Sequence, residues 1–202
     1  MGCALQMNTH MAVGDCLGMV ISMTQPPEYA LSGVCSAMIG AILPDIDVGE
    51  AGRRWTPTVI GGISVLLLLL SMGTSLLPAA QPGMSSWGYC RILRFAVGGA
   101  LLVGTCIWGR TKPHRTFMHS LPAMGILCLG MHGMLPEPAP YFAVGFASHL
   151  LLDMTNYRPV KLFYPFGEGV SLKLCYSNSR ASRALLLVSA GLFALMVVIR
   201  TV

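Results

Sequence analysis

Four short groups of histidine and aspartate interrupt an otherwise apolar chain: His10; Asp45 and Asp47; His114 and His119; and His149 with Asp153. Neutral imidazole together with carboxylate is the usual donor set for zinc, and also for manganese or iron, with no thiolate required. These four histidines and three aspartates exceed what one tetrahedral ion takes. A two-ion site with a bridging carboxylate would use them all, activating water and clamping a phosphoryl or acyl oxygen. On a one-ion reading, some of them orient ligating side chains instead.

The spacing inside each group sets what it can do. His149 and Asp153 stand four apart in an apolar helical stretch, so both project from one face, one turn apart. Ionisable groups at membrane depth are costly and usually mark function, although a structural His–Asp hydrogen bond has the same spacing. His114 and His119 are five apart and on one helix would diverge by roughly 140°. A shared site therefore needs His114 in a lead-in and His119 in a first helical turn, with Pro113 marking the helix start. Asp45-Ile46-Asp47 follows a helix breaker, and an extended backbone there would point both carboxylates to the same side. Taken singly, Asp45 reads as a turn or capping residue and His10 as an ordinary interfacial one. Their joint placement carries the weight.

That placement depends on the elements around them. Of 202 residues, 54% are hydrophobic and 10% charged, against roughly a quarter charged in a soluble domain. Apolar stretches near the length of a bilayer crossing, without polar alternation, predict helices, because lipid leaves no outside partner for backbone groups. They cover about residues 11–23, 29–43, 57–77, 95–108 (with a start near Tyr89), 121–135, 141–154 and 184–199. Thr9 is available to cap the first, and Gln25-Pro26-Pro27 ends it. Small residues in the first two stretches predict a closely packed hairpin. The expected architecture is an all-α, polytopic transmembrane bundle of about six membrane-embedded helices. It forms a single domain with a motif core over residues 8–168 and an anchoring helix near 184–200.

Charge supplies the orientation. With Arg53-Arg54 placed in the cytoplasm and each stretch crossing once, segments 110–115 and 158–183 fall on the same side. Of thirteen basic residues only Arg91, Arg94 and Arg200 are then left at the other face, as the positive-inside rule expects. All four histidine and aspartate groups fall at the cytoplasmic end, with His132 near the opposite one. The net charge of +5 is not gathered into a stripe, which argues against nucleic acid as a partner. The seven cysteines show no Cys-x-x-Cys pair and predict neither a disulfide framework nor a thiolate metal site. The N-terminus lacks the charged start of a signal peptide, so His10 is expected to remain in the mature chain. Gln6 stands where a myristoylation signal wants Ser or Thr.

In this order, Thr9-His10, Leu43-Pro44-Asp45-Ile46-Asp47, His114-Arg115-Thr116-Phe117-Met118-His119-Ser120, Ser148-His149-Leu150-Leu151-Leu152-Asp153 and Phe163-Tyr164-Pro165-Phe166 resemble the marks of the YdjM-like membrane-bound metal-dependent hydrolases. The resemblance covers roughly residues 8–168. It implies a multi-pass inner-membrane protein, distantly akin to zinc-dependent phospholipase C. By position, it makes His10, Asp45, Asp47, His114, His119, His149 and Asp153 the ligands of one or two divalent ions, zinc first. Asp45, Asp47, His114 and His119 would be catalytic. Two departures stand out: Val48 replaces a frequent histidine after the Asp-x-Asp, and Met118 a frequent threonine.

The expected reaction is metal-activated water attacking a phosphoester or other ester, with a phospholipid as a candidate because a site at the membrane surface meets lipids first. Arg115, Arg158 and Lys161 are candidates to hold the anionic substrate; they serve equally as topology-setting charges. A non-catalytic metal-binding scaffold or regulator is the first alternative. An ion or metal transporter is the second, but it would spread ionisable groups through the bundle rather than gather them at one end.

Overall fold

A computed structural model of the chain describes residues 3–47, 86–174 and 180–201. The described residues form six α-helices: α1 (Cys3–Ser22), α2 (Ala30–Ile42), α3 (Ser86–Gly109), α4 (Leu121–Met134), α5 (Ala139–Met154) and α6 (Arg180–Thr201). Short 3-10 turns at Pro27–Tyr29, Leu43–Asp47 and Phe117–His119 join or extend them. No strand forms among these residues beyond one isolated antiparallel bridge between Val160 and Val170.

The small residues act as the pattern requires. A Cβ on Gly14 would stand 2.5 Å from that of Ala41, and one on Gly18 2.7 Å from that of Ala37, so α1 and α2 pair as an antiparallel hairpin at near backbone contact. The α2–α5 pair is closer still: any side chain on Gly145 would overlap the Ala37 carbonyl, and one on Gly40 the Phe142 carbonyl. The Ser36 hydroxyl donates to the Pro138 carbonyl at 2.9 Å, tying the start of α5 to α2. Below this contact lies the apolar core of Phe142, Phe146, Leu127, Met131 and Leu135, with Met118 and Phe117 above it. Outside, α1 carries α6 and α4 carries α3.

The lengths differ from the six membrane-embedded helices expected. Among the described residues three segments are long and apolar enough to cross a membrane: Ala30–Asp47, Tyr89–Gly109 and Arg180–Thr201. The helix Leu121–Met134 is apolar but short. The reason is compositional. Helix α1 has 20 residues but holds Asn8, Thr9, His10 and Asp15, while α5 has 16 and ends on His149 and Asp153. Both helices spend part of their inner faces on buried polar groups, Thr9 and His10 on one and His149 and Asp153 on the other. By contrast, α3 and α6 show apolar side chains outward, including Leu93, Val103 and Ile107 on one and Leu187, Val188 and Val198 on the other, as a lipid-facing surface requires. The strong stretch at 57–77 and the Arg53-Arg54 pair lie outside the described residues.

One boundary moves substantially. Thr9 does not cap the first helix, which begins at Cys3 because residues 3–8 contain nothing that breaks a helix. His10 therefore projects from within α1, and the Thr9 hydroxyl meets that of Ser182 on α6 at 3.1 Å.

The α2–α5 contact yields a direct test. Gly145→Ala should lower stability by about 1–3 kcal/mol, the range for overpacking. Gly191→Ala, where nothing lies within 4 Å of the added carbon, should be neutral or slightly stabilising. Thermal unfolding of both variants in detergent checks this; equal midpoints would contradict the packing described.

Candidate metal centre

His149 is held first. The Ala37–Gly145 approach brings α5 so near α2 that, one turn on, His149 Nδ1 lies 2.7 Å from the Ala41 carbonyl oxygen. A carbonyl only accepts, so Nδ1 carries the proton and Nε2 presents a lone pair to the interior. Asp153, one turn further along α5, faces the same space. His119 enters from the Phe117–His119 turn, and Asp45 from the Leu43–Asp47 turn that prolongs α2.

Two imidazole nitrogens and two carboxylate oxygens then gather, each nitrogen within 3.8 Å of the other three atoms. His119 Nε2 is 3.3 Å from His149 Nε2, 3.4 Å from Asp45 Oδ1 and 3.3 Å from Asp153 Oδ2. His149 Nε2 is 3.7 Å from Asp45 Oδ1 and 3.8 Å from Asp153 Oδ2. For zinc bound at about 2.0–2.2 Å, a tetrahedron of ligands has edges of roughly 3.3–3.6 Å. Five of its six edges are thus already close to the required length. The donor chemistry fits as well: two carboxylates would balance a divalent charge, and two imidazoles, neutral once a metal displaces their protons, would complete the donor set.

A second ring of groups surrounds the first. Asp47 Oδ1 is 2.7 Å from His114 Nδ1, and its Oδ2 is 3.6 Å from His119 Nδ1. Asp45 and Asp47 therefore flank opposite nitrogens of one imidazole. Arg115 is buried, donating from Nη2 to Asp153 Oδ1 at 2.8 Å and from Nη1 to the Arg158 carbonyl at 2.7 Å. Its backbone is held at φ 64°, a strained left-handed conformation for a non-glycine residue that the surrounding bonds maintain. His10 stacks on His149 with ring centroids 3.9 Å apart and brings Nε2 to 3.5 Å from Asp153 Oδ1. Its Nδ1 is buried without a hydrogen bond.

All seven sequence-predicted ligand candidates thus meet in one cluster, but three local expectations change. The Asp45-Ile46-Asp47 segment is a 3-10 turn, not extended. At three residues per turn its two carboxylates diverge by roughly 120°, which is why they straddle His119 rather than point together. Pro113 does not start a helix. Helix α4 starts at Leu121, where the Ser120 hydroxyl accepts from the Ala123 amide at 3.3 Å and proline occupies the first turn. Arg115, a candidate substrate clamp, has its guanidinium engaged by Asp153 and the Arg158 carbonyl, whereas Arg158 and Lys161 are exposed. The Ala41 carbonyl was not legible as a functional group, since a backbone acceptor leaves no sequence signal. Charge balance against three clustered aspartates was the available hint for Arg115.

Electrostatics sets how the centre loads. Burial disfavours a charged His119, but Asp45, Asp47 and Asp153 outweigh it and push its pKa up to about 9 in the metal-free site.

The model of the YdjM inner membrane protein family matches residues 5–202. No curated protein and no solved structure matches the chain.

Loading by a divalent ion must displace the His119 proton, so apparent affinity should fall by roughly tenfold per pH unit below about 9 and loading should release a proton. Titration at several pH values, with proton release followed by indicator dye, checks this. Metal analysis of the purified protein should find one equivalent of ion, lost in His149→Ala and in Asp45→Ala. Asp47→Asn should only weaken binding, by about 10–100-fold. An ion retained in full by His149→Ala would remove the four-donor site.

Proposed function

We propose that this chain, which belongs to the YdjM inner membrane protein family, is a zinc-dependent hydrolase acting on phosphoesters at the cytoplasmic face of the membrane. The observation that carries the reading is the near-tetrahedral spacing of His119 Nε2, His149 Nε2, Asp45 Oδ1 and Asp153 Oδ2. When bound, such an ion lowers the pKa of water and polarises a phosphoryl or acyl oxygen.

The chain's own residues supply the rest. Asp45 is the one inner donor with measurable side-chain exposure, 14% against 2% or less for the other three. Reagents therefore approach from its side. His114 stands on that side, a third exposed. Its Nδ1 is fixed by Asp47, which leaves Nε2 to accept a proton from water or return one to a leaving group. Arg115 holds Asp153 in place and offsets its charge. The basic residues Arg110, Lys112, Arg158, Lys161, Lys173, Arg180 and Arg183 lie at the site end of the helices, with Arg91, Arg94 and Arg200 towards the other. That asymmetry supports a cytoplasmic site.

A second reading rests on the same donor count. Four protein ligands close a tetrahedral ion, as in structural zinc sites, whereas catalytic sites keep a position open. A metal-binding scaffold would use the four donors without turnover.

The two separate in one assay. Metal-loaded protein should hydrolyse an activated phosphodiester, lose the activity to a chelator and regain it with zinc. His114→Ala should keep the ion and lose about 10²–10⁴-fold in kcat, the usual contribution of a general acid–base group. Full metal loading with no chelator-sensitive turnover on phosphodiesters or phospholipids would leave the scaffold reading standing.

A further inference from the structure

Residues 155–174 close the site end of the bundle, and their outer surface has no part in the metal centre. The backbone of this segment is firmly tied. Val160 is fully buried and bridges Val170 through amide bonds of 2.9 and 2.8 Å. The Leu121 amide donates to the Leu162 carbonyl at 2.8 Å, and the Leu172 amide to that of Met154 at 2.7 Å. Yet this fixed scaffold turns Phe163, Phe166, Leu172 and Leu174 outward, each more than half exposed and Phe166 at 78%. Among them stand the exposed cations Arg158, Lys161 and Lys173, opposed by Glu168 alone.

We infer that this surface is an interfacial platform that seats on anionic phospholipid headgroups of the protein's own membrane. Its phenylalanines and leucines would lie at the acyl boundary, with Arg158, Lys161 and Lys173 against the phosphates. Aromatic and apolar groups mixed with cations are the composition of the headgroup zone, and each nearby cation adds to attraction for an anionic leaflet. The surface also shares one end of the bundle with the termini of the two lipid-facing helices. It lies at the end of the bundle where α3 finishes at Gly109, with Arg110 and Lys112 beyond, and where α6 starts with Arg180 and Arg183. The segment reaches the metal centre through backbone: the Lys161 amide donates to the Arg115 carbonyl at 3.1 Å, and the Arg158 carbonyl receives the Arg115 guanidinium. Headgroups held here therefore lie beside the residue that positions Asp153. The platform stands whether or not the centre hydrolyses anything.

The test uses full-length protein in nanodiscs and two independent readouts. Phe166→Trp should add blue-shifted emission over wild type, quenched by lipids brominated near the head of the acyl chain. The triple variant Arg158→Gln, Lys161→Gln and Lys173→Gln, all at exposed positions, should retain less phosphatidylglycerol relative to phosphatidylcholine by native mass spectrometry. The loss should be roughly fivefold per charge removed, while the metal content stays unchanged. New emission that is water-exposed, or buried but out of reach of brominated lipid as against a partner protein or second copy, would overturn the inference. So would unchanged lipid preference in the triple variant.

Discussion

The close approach of α2 and α5 is the constraint on which the rest of the structure depends. Because Gly145 has no side chain, the Ala37 backbone can lie against it, and one turn later the Ala41 carbonyl receives His149. That single bond fixes which nitrogen of His149 is protonated and therefore which can bind a cation. It also sets the start of the Leu43–Asp47 turn, since α2 runs straight into it. A wider α2–α5 spacing would leave the ligand identities intact while pulling Asp45 and His149 beyond a common ion.

Three of the four inner donors have an outer neighbour. His149 is oriented by a carbonyl and Asp153 by Arg115, while Asp47 lies 3.6 Å from His119 on the face opposite Asp45. This matters energetically because three carboxylates gathered beside buried histidines are unfavourable without cations to offset them. Arg115 supplies one charge, and a divalent ion would supply the rest. The price is local strain at the Arg115 backbone, held by bonds on both sides. The site end of the bundle is thus closely hydrogen-bonded around the polar cluster and carries apolar side chains where it faces outward.

Much of this was legible from the sequence, for reasons that can be named. The apolar stretches marked five of the six described helices closely, because helix ends at Pro26-Pro27, Pro44 and the Pro136–Pro140 cluster are dictated by proline sterics. The first helix was placed eight residues late because hydropathy, not helix compatibility, drove the boundary, and residues 3–8 are helical yet polar enough to hide it. The expected close hairpin of the first two helices held at particular atoms: Gly14 lies on Ala41 and Gly18 on Ala37. The expected number of membrane-embedded helices was too high for the described residues, since α1, α4 and α5 are apolar or long without being both.

The sequence by itself determined which residues could be ligands and that they share one end of the bundle. Ligand chemistry is a property of side-chain type, and alternation of crossings is a property of hydropathy and charge. Tertiary structure decided how the seven candidates are spaced from one another, because that depends on how segments from 30 to more than a hundred residues apart pack together. It also turned Arg115 from a candidate substrate clamp into a partner of Asp153, and it placed Asp45 and Asp47 on opposite nitrogens of His119. Local spacing cannot encode such choices; they follow from how closely α2 and α5 are able to approach.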